Sequence, residues 1–157
     1  MSEIQDRRAK VVVPGGRPLH EYANLYICGR NPMLFKRRAQ HADICVLRVS
    51  PDVLDLPGVI VTDMNAAGKD LYVSFRLAPN GLQFVDRELT FAEYWTDPDQ
   101  VQYYQKKSAK CAEVLIPDSV DPGYIIGCYV SCVDSQARIK QLAPQLAVTI
   151  DTHLFFL

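Results

Sequence analysis

A single glutamate interrupts a short apolar segment at residues 110–117, Lys-Cys-Ala-Glu-Val-Leu-Ile-Pro. The apolar residues predict a buried strand, and a buried carboxylate costs free energy unless it is paired or takes part in chemistry. Because side chains alternate along a strand, Glu113 points away from the side that Val114 and Ile116 fill. The pattern therefore predicts a strand that packs a core with one face and presents a carboxylate with the other. The alternative is an edge strand whose glutamate faces water.

The overall composition suits one globular domain without a general affinity for nucleic acid. The chain has 157 residues and a formal net charge of -1, so any contact with DNA must come from a local patch. Its five cysteines form no Cys-x-x-Cys pair and lie far from the histidines, so zinc-ligand spacing is absent and we expect no metal. An odd cysteine count without a signal peptide fits a reducing cytoplasm. We expect a cytoplasmic monomer with no membrane partner.

Short strand-like segments outnumber helical ones and follow no regular strand–helix alternation. This pattern favours an α+β fold with mainly antiparallel, packed sheets. The predicted helices cover a short turn at 1–9, 31–40 with Asn31 as N-cap, 97–107, and 134–142 with Asp134 as N-cap. The predicted strands cover residues 25–28, 43–49, 59–62, 71–77, 112–116, 124–130, 145–150 and 153–157.

Three segments taken together resemble a known family. They are Leu-His-Glu-Tyr-x-x-Leu-Tyr-x-x-x-x-Asn-Pro-Met at 19–33, Val-Thr-Asp-Met-Asn-Ala-Ala at 61–67, and Cys-Ala-Glu-Val-Leu at 111–115. In this order and at these distances they resemble DarT, the DNA ADP-ribosyltransferase toxin of DarT–DarG toxin–antitoxin systems. Each motif alone is weak, whereas their joint order is fairly specific. The resemblance extends over nearly the whole chain.

The resemblance implies a fold, an activity and partners. The expected fold is that of the ADP-ribosyltransferases, with two packed sheets around an NAD cleft and one domain over residues 1–157. The expected reaction transfers ADP-ribose from NAD, used as a substrate, onto a base in single-stranded DNA. The expected antitoxin is of the DarG type, with a macrodomain that removes the modification. Family members begin with a strand and a helix whose His and Asn hold the nicotinamide, and the resemblance places that segment before residue 1.

The resemblance also implies which residues form the site. Glu113 corresponds to the catalytic glutamate. Arg8 corresponds to an arginine that contacts NAD and the target base, and its alternative is a solvated residue near a frayed terminus. His20, Tyr22 and Tyr26 are candidates for cofactor binding. Their alternatives are core packing for the tyrosines and a backbone hydrogen bond for His20.

The chemistry explains why a glutamate would be placed there. Breaking the nicotinamide–ribose bond creates positive charge on the ribose, which a carboxylate can stabilise while it bonds a ribose hydroxyl. The same carboxylate can act as a general base for the proton of the target base. Both roles of Glu113 remain open from the sequence.

The predicted DNA-binding residues lie in two places. Asn65 lies in the turn predicted after the strand at 59–62 and is expected to reach the target nucleotide. Its alternative is a hydrogen bond to its own backbone, which is common for Asn in a turn. The segment before Glu113 would be the recognition loop, because aromatic rings interleaved with cations bind single strands. An ordinary amphipathic helix with Val101, Tyr104 and Ser108 inward is the alternative. The predicted loop contacts are Tyr94, Trp95, Tyr103 and Tyr104 for stacking, and Lys106, Lys107 and Lys110 for phosphates.

Other readings of the chain compete with this one. A second basic cluster, made of Arg30, Lys36, Arg37 and Arg38, is either a guide for the DNA backbone or a solvated face. The protein as a whole is alternatively a catalytically silent remnant of the fold that binds single-stranded DNA or the antitoxin. A third reading is an ADP-ribosyltransferase that acts on protein or RNA.

Overall fold

The structure, a computed structural model, describes residues 3–68 and 72–157. The chain divides into two compact units, one formed by residues 1–28 and 54–120 and the other by residues 29–53 and 121–157. The predicted helical turn at 1–9 and the predicted strand at 71–77 lie partly outside the described residues. The prediction that residues 1–157 form a single domain stays a prediction.

The described residues contain short strands, α-helices and 3-10 turns. The strands are β1 (Tyr22–Tyr26), β2 (Val46–Val49), β3 (Ile60–Thr62), β4 (Phe75–Leu77), β5 (Glu113–Pro117), β6 (Ile125–Val130) and β7 (Val148–Ile150). The α-helices are α1 (Glu3–Ala9), α2 (Pro32–Lys36), α3 (Arg87–Phe91), α4 (Gln100–Ala109) and α5 (Val133–Leu142). The 3-10 turns cover Leu19–Glu21, Arg38–Asp43, Pro51–Asp55, Asn80–Phe84 and Pro122–Tyr124.

The first unit is built on a four-stranded antiparallel sheet in the order β1-β5-β3-β4. β5 lies between β1 and β3, and its residues are buried up to the terminal proline. The register places Glu113 opposite Tyr26 on one side and Thr62 on the other. Opposite residues of antiparallel strands share a face, so these three side chains project from the same side of the sheet.

That same face of β5 also contributes to the core of the first unit. Leu115 packs with Val13, Leu19, Tyr22 and Ala66, and these residues are all buried. Glu113 therefore lies beside a buried apolar cluster, on a strand that is paired on both sides. The alternative of an edge strand whose glutamate faces water is wrong.

The second unit contains a three-stranded sheet in the order β2-β6-β7. β2 pairs antiparallel with β6, and β7 pairs parallel with β6. α2 begins as the sequence predicts, because the Asn31 side chain accepts hydrogen bonds from the backbone N–H groups of Met33 and Leu34. The predicted class, α+β with two mainly antiparallel sheets, is confirmed.

Several predicted elements differ from the observed ones. The helix predicted at 31–40 ends at Lys36, because Arg37 leaves helical geometry, and the chain continues as the 3-10 turn. The segment predicted as a buried strand at 43–49 gives the shorter β2, which lies at a sheet edge and leaves Leu47 49% exposed. The strand predicted at 153–157 is a turn, since Phe156 has φ of 64°. The N-cap of α5 is Cys132 rather than Asp134.

Candidate active site

Glu113 is a buried carboxylate with three donors around it. Its side chain is 1% exposed. Oε2 accepts a hydrogen bond from Arg8 Nη1 at 3.3 Å, and Oε1 accepts one from the backbone N–H of Ala66 at 3.1 Å. The side chain of Asn24, on β1, also hydrogen-bonds the carboxylate. Elements that lie far apart in sequence thus converge on one carboxylate.

Arg8 is buried as well, at the C-terminal end of α1. It is 5% exposed, so the alternative of a solvated arginine at a frayed terminus is wrong. Its Nη2 donates to the backbone carbonyl of Leu19 at 3.3 Å, while Nη1 bonds Glu113. The carbonyl of Leu19 therefore orients the Arg8 guanidinium, and the guanidinium in turn orients the Glu113 carboxylate.

Two opposing effects act on the protonation of Glu113. Burial raises the pKa of the Glu113 carboxyl, because a charge is poorly solvated away from water. The positive charge of Arg8 and the hydrogen bonds from Ala66 and Asn24 act in the opposite direction and lower the pKa. Burial is the larger effect, so the pKa of Glu113 lies above its ordinary value. A carboxyl with a raised pKa is a better proton acceptor near neutral pH than an ordinary one.

The turn after β3 shapes the other side of the site. Thr62 Oγ1 donates to the carbonyl of Met64 at 2.7 Å and accepts the backbone N–H of Glu113 at 3.1 Å. The side chain of Asn65 accepts the backbone N–H of Ala67 at 3.0 Å. These bonds fix the turn that aims the N–H of Ala66 at Glu113. Asn65 therefore has the backbone role that the sequence left as its alternative, and its contact with a nucleotide stays a prediction.

A family model described as "DarT: ssDNA thymidine ADP-ribosyltransferase, DarT" matches residues 1–156 of the chain. The chain belongs to the DarT family. The resemblance found in the sequence is thereby confirmed.

Individual relatives support the same family and fold. A Thermosipho africanus protein, named a DNA ADP-ribosyl transferase–DNA ADP-ribosyl glycohydrolase fusion protein, is 28% identical over 156 residues, which are 96% of this chain and 39% of that protein. The structure of Thermosipho africanus DarTG with ADP-ribose has a TM-score of 0.82 at 26% identity, covering 100% of this chain and 42% of the other. This chain therefore spans about two fifths of the length of these relatives.

The fold also matches a Thermus protein. The structure of Thermus sp. 2.9 DarT with ADP-ribosylated ssDNA has a TM-score of 0.82 at 23% identity, covering 96% of this chain and 77% of the other. The same Thermus protein with NAD+ gives a TM-score of 0.76 at 24% identity, covering 94% and 79%. At these identities the likeness establishes the fold.

The cofactor-binding candidates of the DarT motif at 19–33 lie in different surroundings. Tyr22 is buried in the core, and its hydroxyl accepts the backbone N–H of Arg17 at 3.3 Å, as the packing alternative predicted. Tyr26 is half-buried directly opposite Glu113 on β1. His20 is exposed on the 3-10 turn. Contacts of Tyr26 and His20 with NAD stay predictions.

The segment before Glu113 is partly helical and exposes aromatic rings. Tyr104 is 55% exposed and packs edge-to-face on Tyr103, with ring centroids 5.4 Å apart. Lys107 Nζ donates to the Tyr103 hydroxyl at 3.2 Å. Val101 is also exposed, so the alternative of a helix with Val101 and Tyr104 inward is wrong. Binding of DNA by Tyr103, Tyr104 and Lys107 stays a prediction.

Two predicted DNA contacts need correction. Lys110 is 1% exposed, and its Nζ donates to the backbone carbonyl of Thr90 at 3.0 Å and to Cys28 Sγ at 3.3 Å. The C-terminal turn of α4 directs this ammonium inward, so Lys110 cannot be a surface phosphate contact. Trp95 is buried and offers no open face for stacking. Lys106 is paired with Asp97, with Nζ 2.6 Å from Oδ2, and its contact with a phosphate stays a prediction.

Sequence reasoning missed three groups at the site: the Asn24 side chain, the Thr62 hydroxyl and the backbone N–H of Ala66. The alternation of β1 carried a signal for Asn24, because residues 22, 24 and 26 share one face. Thr62 and Ala66 lie in a recognised motif, but only the pairing of β3 with β5 shows that they meet Glu113.

Proposed function

We propose that this chain transfers ADP-ribose from NAD onto a thymidine base of single-stranded DNA, with Glu113 and Arg8 at the reacting centre. The observation that carries the proposal is the buried Arg8–Glu113 pair, with the Ala66 N–H on the same carboxylate. The family description, which names ssDNA and thymidine, supports the substrate. The Thermus DarT structure with NAD+ supports the donor.

The reaction exchanges one glycosidic bond for another. The bond between the ribose C1′ and the nicotinamide nitrogen breaks, and nicotinamide leaves with the electron pair. A new bond forms between C1′ and the ring nitrogen of the base, which loses its proton. Glu113 stabilises the positive ribose and accepts this proton, for which its raised pKa suits it.

Arg8 is assigned two tasks in this proposal. It orients the carboxylate of Glu113 through Nη1 and is itself held by the Leu19 carbonyl through Nη2. Because a guanidinium carries five N–H donors, Arg8 retains donors for the pyrophosphate of NAD. A buried, pre-oriented pair needs little rearrangement as charge develops on the substrate.

The proposal includes a partner and a place of action. The Thermosipho africanus relative joins a transferase and a glycohydrolase in its name, which supports a DarG-type macrodomain antitoxin that removes the modification. All five cysteines are free thiols, which fits a reducing cytoplasm where DNA is also present. Among the described helices, none has the length and apolar character of a membrane span.

The test is intact mass spectrometry of single-stranded oligonucleotides incubated with NAD and this chain. We expect a mass gain of one ADP-ribose on thymidine-containing strands and none on strands without thymidine. Glu113→Gln should abolish the gain, whereas Glu21→Gln, which changes an exposed carboxylate, should leave it intact.

Other outcomes would support the competing readings. Full transfer by Glu113→Gln would refute the central assignment. Binding of the oligonucleotide without transfer by the parent chain would support a silent remnant, and transfer onto RNA or protein alone would support the third reading.

A further inference from the structure

Four side chains of the second unit form a continuous stack of cations and aromatic rings. The Arg30 guanidinium carbon lies 3.9 Å from the centroid of the Phe156 ring, and that of Arg38 lies 4.1 Å from the centroid of Phe35. The two rings meet edge-to-face with centroids 5.0 Å apart. The order along the stack is Arg30, Phe156, Phe35, Arg38, and we call it the Arg–Phe ladder.

Backbone carbonyls anchor both ends of the ladder. Arg30 Nη1 donates to the carbonyl of His153, and Arg38 Nη1 donates to the carbonyl of Phe35 at 3.1 Å. Stacking on a ring and bonding a carbonyl fix the plane of a guanidinium. Arg38 therefore loses less side-chain entropy when it binds a ligand than a freely rotating arginine would.

The outer end of the ladder is strongly positive and open to solvent. Residues 30–38 contain Arg30, Lys36, Arg37 and Arg38 and no carboxylate. Lys36, Arg37 and Arg38 are exposed, and Phe35 is 38% exposed. A guanidinium has five N–H donors, so Arg38 can bond the Phe35 carbonyl and still grip a phosphate with its fork.

We propose that the Arg–Phe ladder, together with the exposed Lys36 and Arg37 beside it, is a binding surface for the phosphodiester backbone of single-stranded DNA. The identity of the partner rests on the proposed function, while the site itself rests on the stack and its charge. Single strands are bound by cations that follow the phosphates together with flat faces that accept bases. The ladder offers both, because the exposed Arg38 guanidinium is a charged plane on which a base can stack. It would bind strands without reading their sequence.

The test measures binding alone, in the absence of NAD. Fluorescence anisotropy with a labelled oligothymidine compares the parent chain with Arg37→Gln/Arg38→Gln at several salt concentrations. The matched control is Arg48→Gln/Lys140→Gln, which removes the same charge from exposed positions of the same unit outside the ladder. Loss of two phosphate contacts should lower the slope of log K against log salt by roughly 1.4 and weaken binding by about tenfold at 150 mM salt.

A third variant separates geometry from charge. Arg38→Lys keeps the positive charge and removes the planar fork, so we expect weaker binding with an unchanged salt slope. Parent-like affinity of Arg38→Lys would overturn the stacking role of the ladder.

The remaining outcomes are also decisive. An equal loss of affinity in Arg37→Gln/Arg38→Gln and in the control would show that only net charge matters and would overturn the site. A parent chain that does not bind the oligonucleotide would overturn it as well. Because this test is run without NAD, its result is independent of the mass-spectrometry test of transfer. A parent chain that transfers no ADP-ribose but binds the oligonucleotide more tightly than Arg37→Gln/Arg38→Gln would refute the proposed function and leave the ladder intact. A parent chain that transfers ADP-ribose but binds no more tightly than that variant would overturn the ladder and leave the proposed function intact.

Discussion

Replacing Glu113 by glutamine should abolish transfer and remove a pH dependence of stability that the parent shows. Glutamine mimics the protonated carboxyl in shape and keeps an oxygen for the Ala66 N–H, whereas its amide group turns a donor towards Arg8 Nη1 and leaves that buried cation without its anion. This cost is the same at every pH of the assay, because the guanidinium stays charged. Burial raises the pKa of Glu113 in the folded state despite the charge of Arg8, so the folded chain holds the proton more tightly than the unfolded chain does. The parent therefore loses stability as pH rises from the unfolded pKa towards the folded pKa.

The size of this effect follows from the difference in proton binding between the folded and the unfolded state. One proton changes the free energy of unfolding by about 1.4 kcal/mol for each pH unit in that window. The Glu113→Gln variant lacks this proton, so the free energy of unfolding of the parent should fall relative to that of the variant as pH rises from the unfolded pKa to the folded pKa. Arg8→Met leaves the carboxylate buried without its cation and should cost about 3–5 kcal/mol above that window. Its cost should shrink at lower pH, where Glu113 is protonated.

The assay is urea unfolding followed by circular dichroism at pH 5, 6, 7 and 8. The control is Asp118→Asn, an exposed carboxyl whose pKa is lowered by Arg17. Its contribution is lost only as pH falls through its folded pKa, below this range, so its curve should run parallel to that of the parent. Asparagine also tolerates the φ of 63° found at position 118.

One result would refute the reasoning. If the difference in the free energy of unfolding between the parent and Glu113→Gln is constant from pH 5 to pH 8, then attraction to Arg8 at least offsets the cost of burial. The pKa of Glu113 would then not be raised above its ordinary value.

Three further predictions test other parts of the structure. Asn31→Ala removes the N-cap of α2 and should lower the free energy of unfolding by about 1 kcal/mol, measured by urea titration; an unchanged midpoint would contradict the cap. Tyr104→Ala should weaken binding of single-stranded DNA by roughly 1–3 kcal/mol in anisotropy measurements if bases stack on that exposed ring, whereas parent-like affinity would remove it from the predicted contacts. Burial raises the pKa of the Cys111 thiol to about 12, so iodoacetamide at pH 8 should modify exposed Cys45 and spare Cys111, as peptide mass spectrometry will show; rapid labelling of Cys111 in the folded protein would contradict its burial.

Local patterns in the chain were sufficient for several correct predictions. The apolar run around Glu113 predicted a buried strand with the carboxylate on the opposite face from Val114, and β5 has that arrangement. Asn31 before a proline predicted the start of α2. These features depend on side-chain alternation and backbone capping within a few residues, which is information that a short segment contains.

Features that depend on distant partners were less predictable. Lys110 looked like a surface cation among other lysines, yet the end of α4 turns it towards the carbonyl of Thr90. The segment at 43–49 was predicted as a buried strand, yet among the described residues β2 pairs only with β6. A sequence pattern does not show which elements cover a residue, and burial is decided by that cover.

The sequence by itself determined the α+β class, the family and Glu113 as the leading candidate, because motif order and strand alternation are written along the chain. Only the tertiary structure decided that Arg8 meets Glu113, 105 positions away, and that the Ala66 N–H completes the site. The physical reason is that ion pairing and hydrogen bonding act over a few ångströms in space, and the pairing of β5 with β1 and β3 sets those distances.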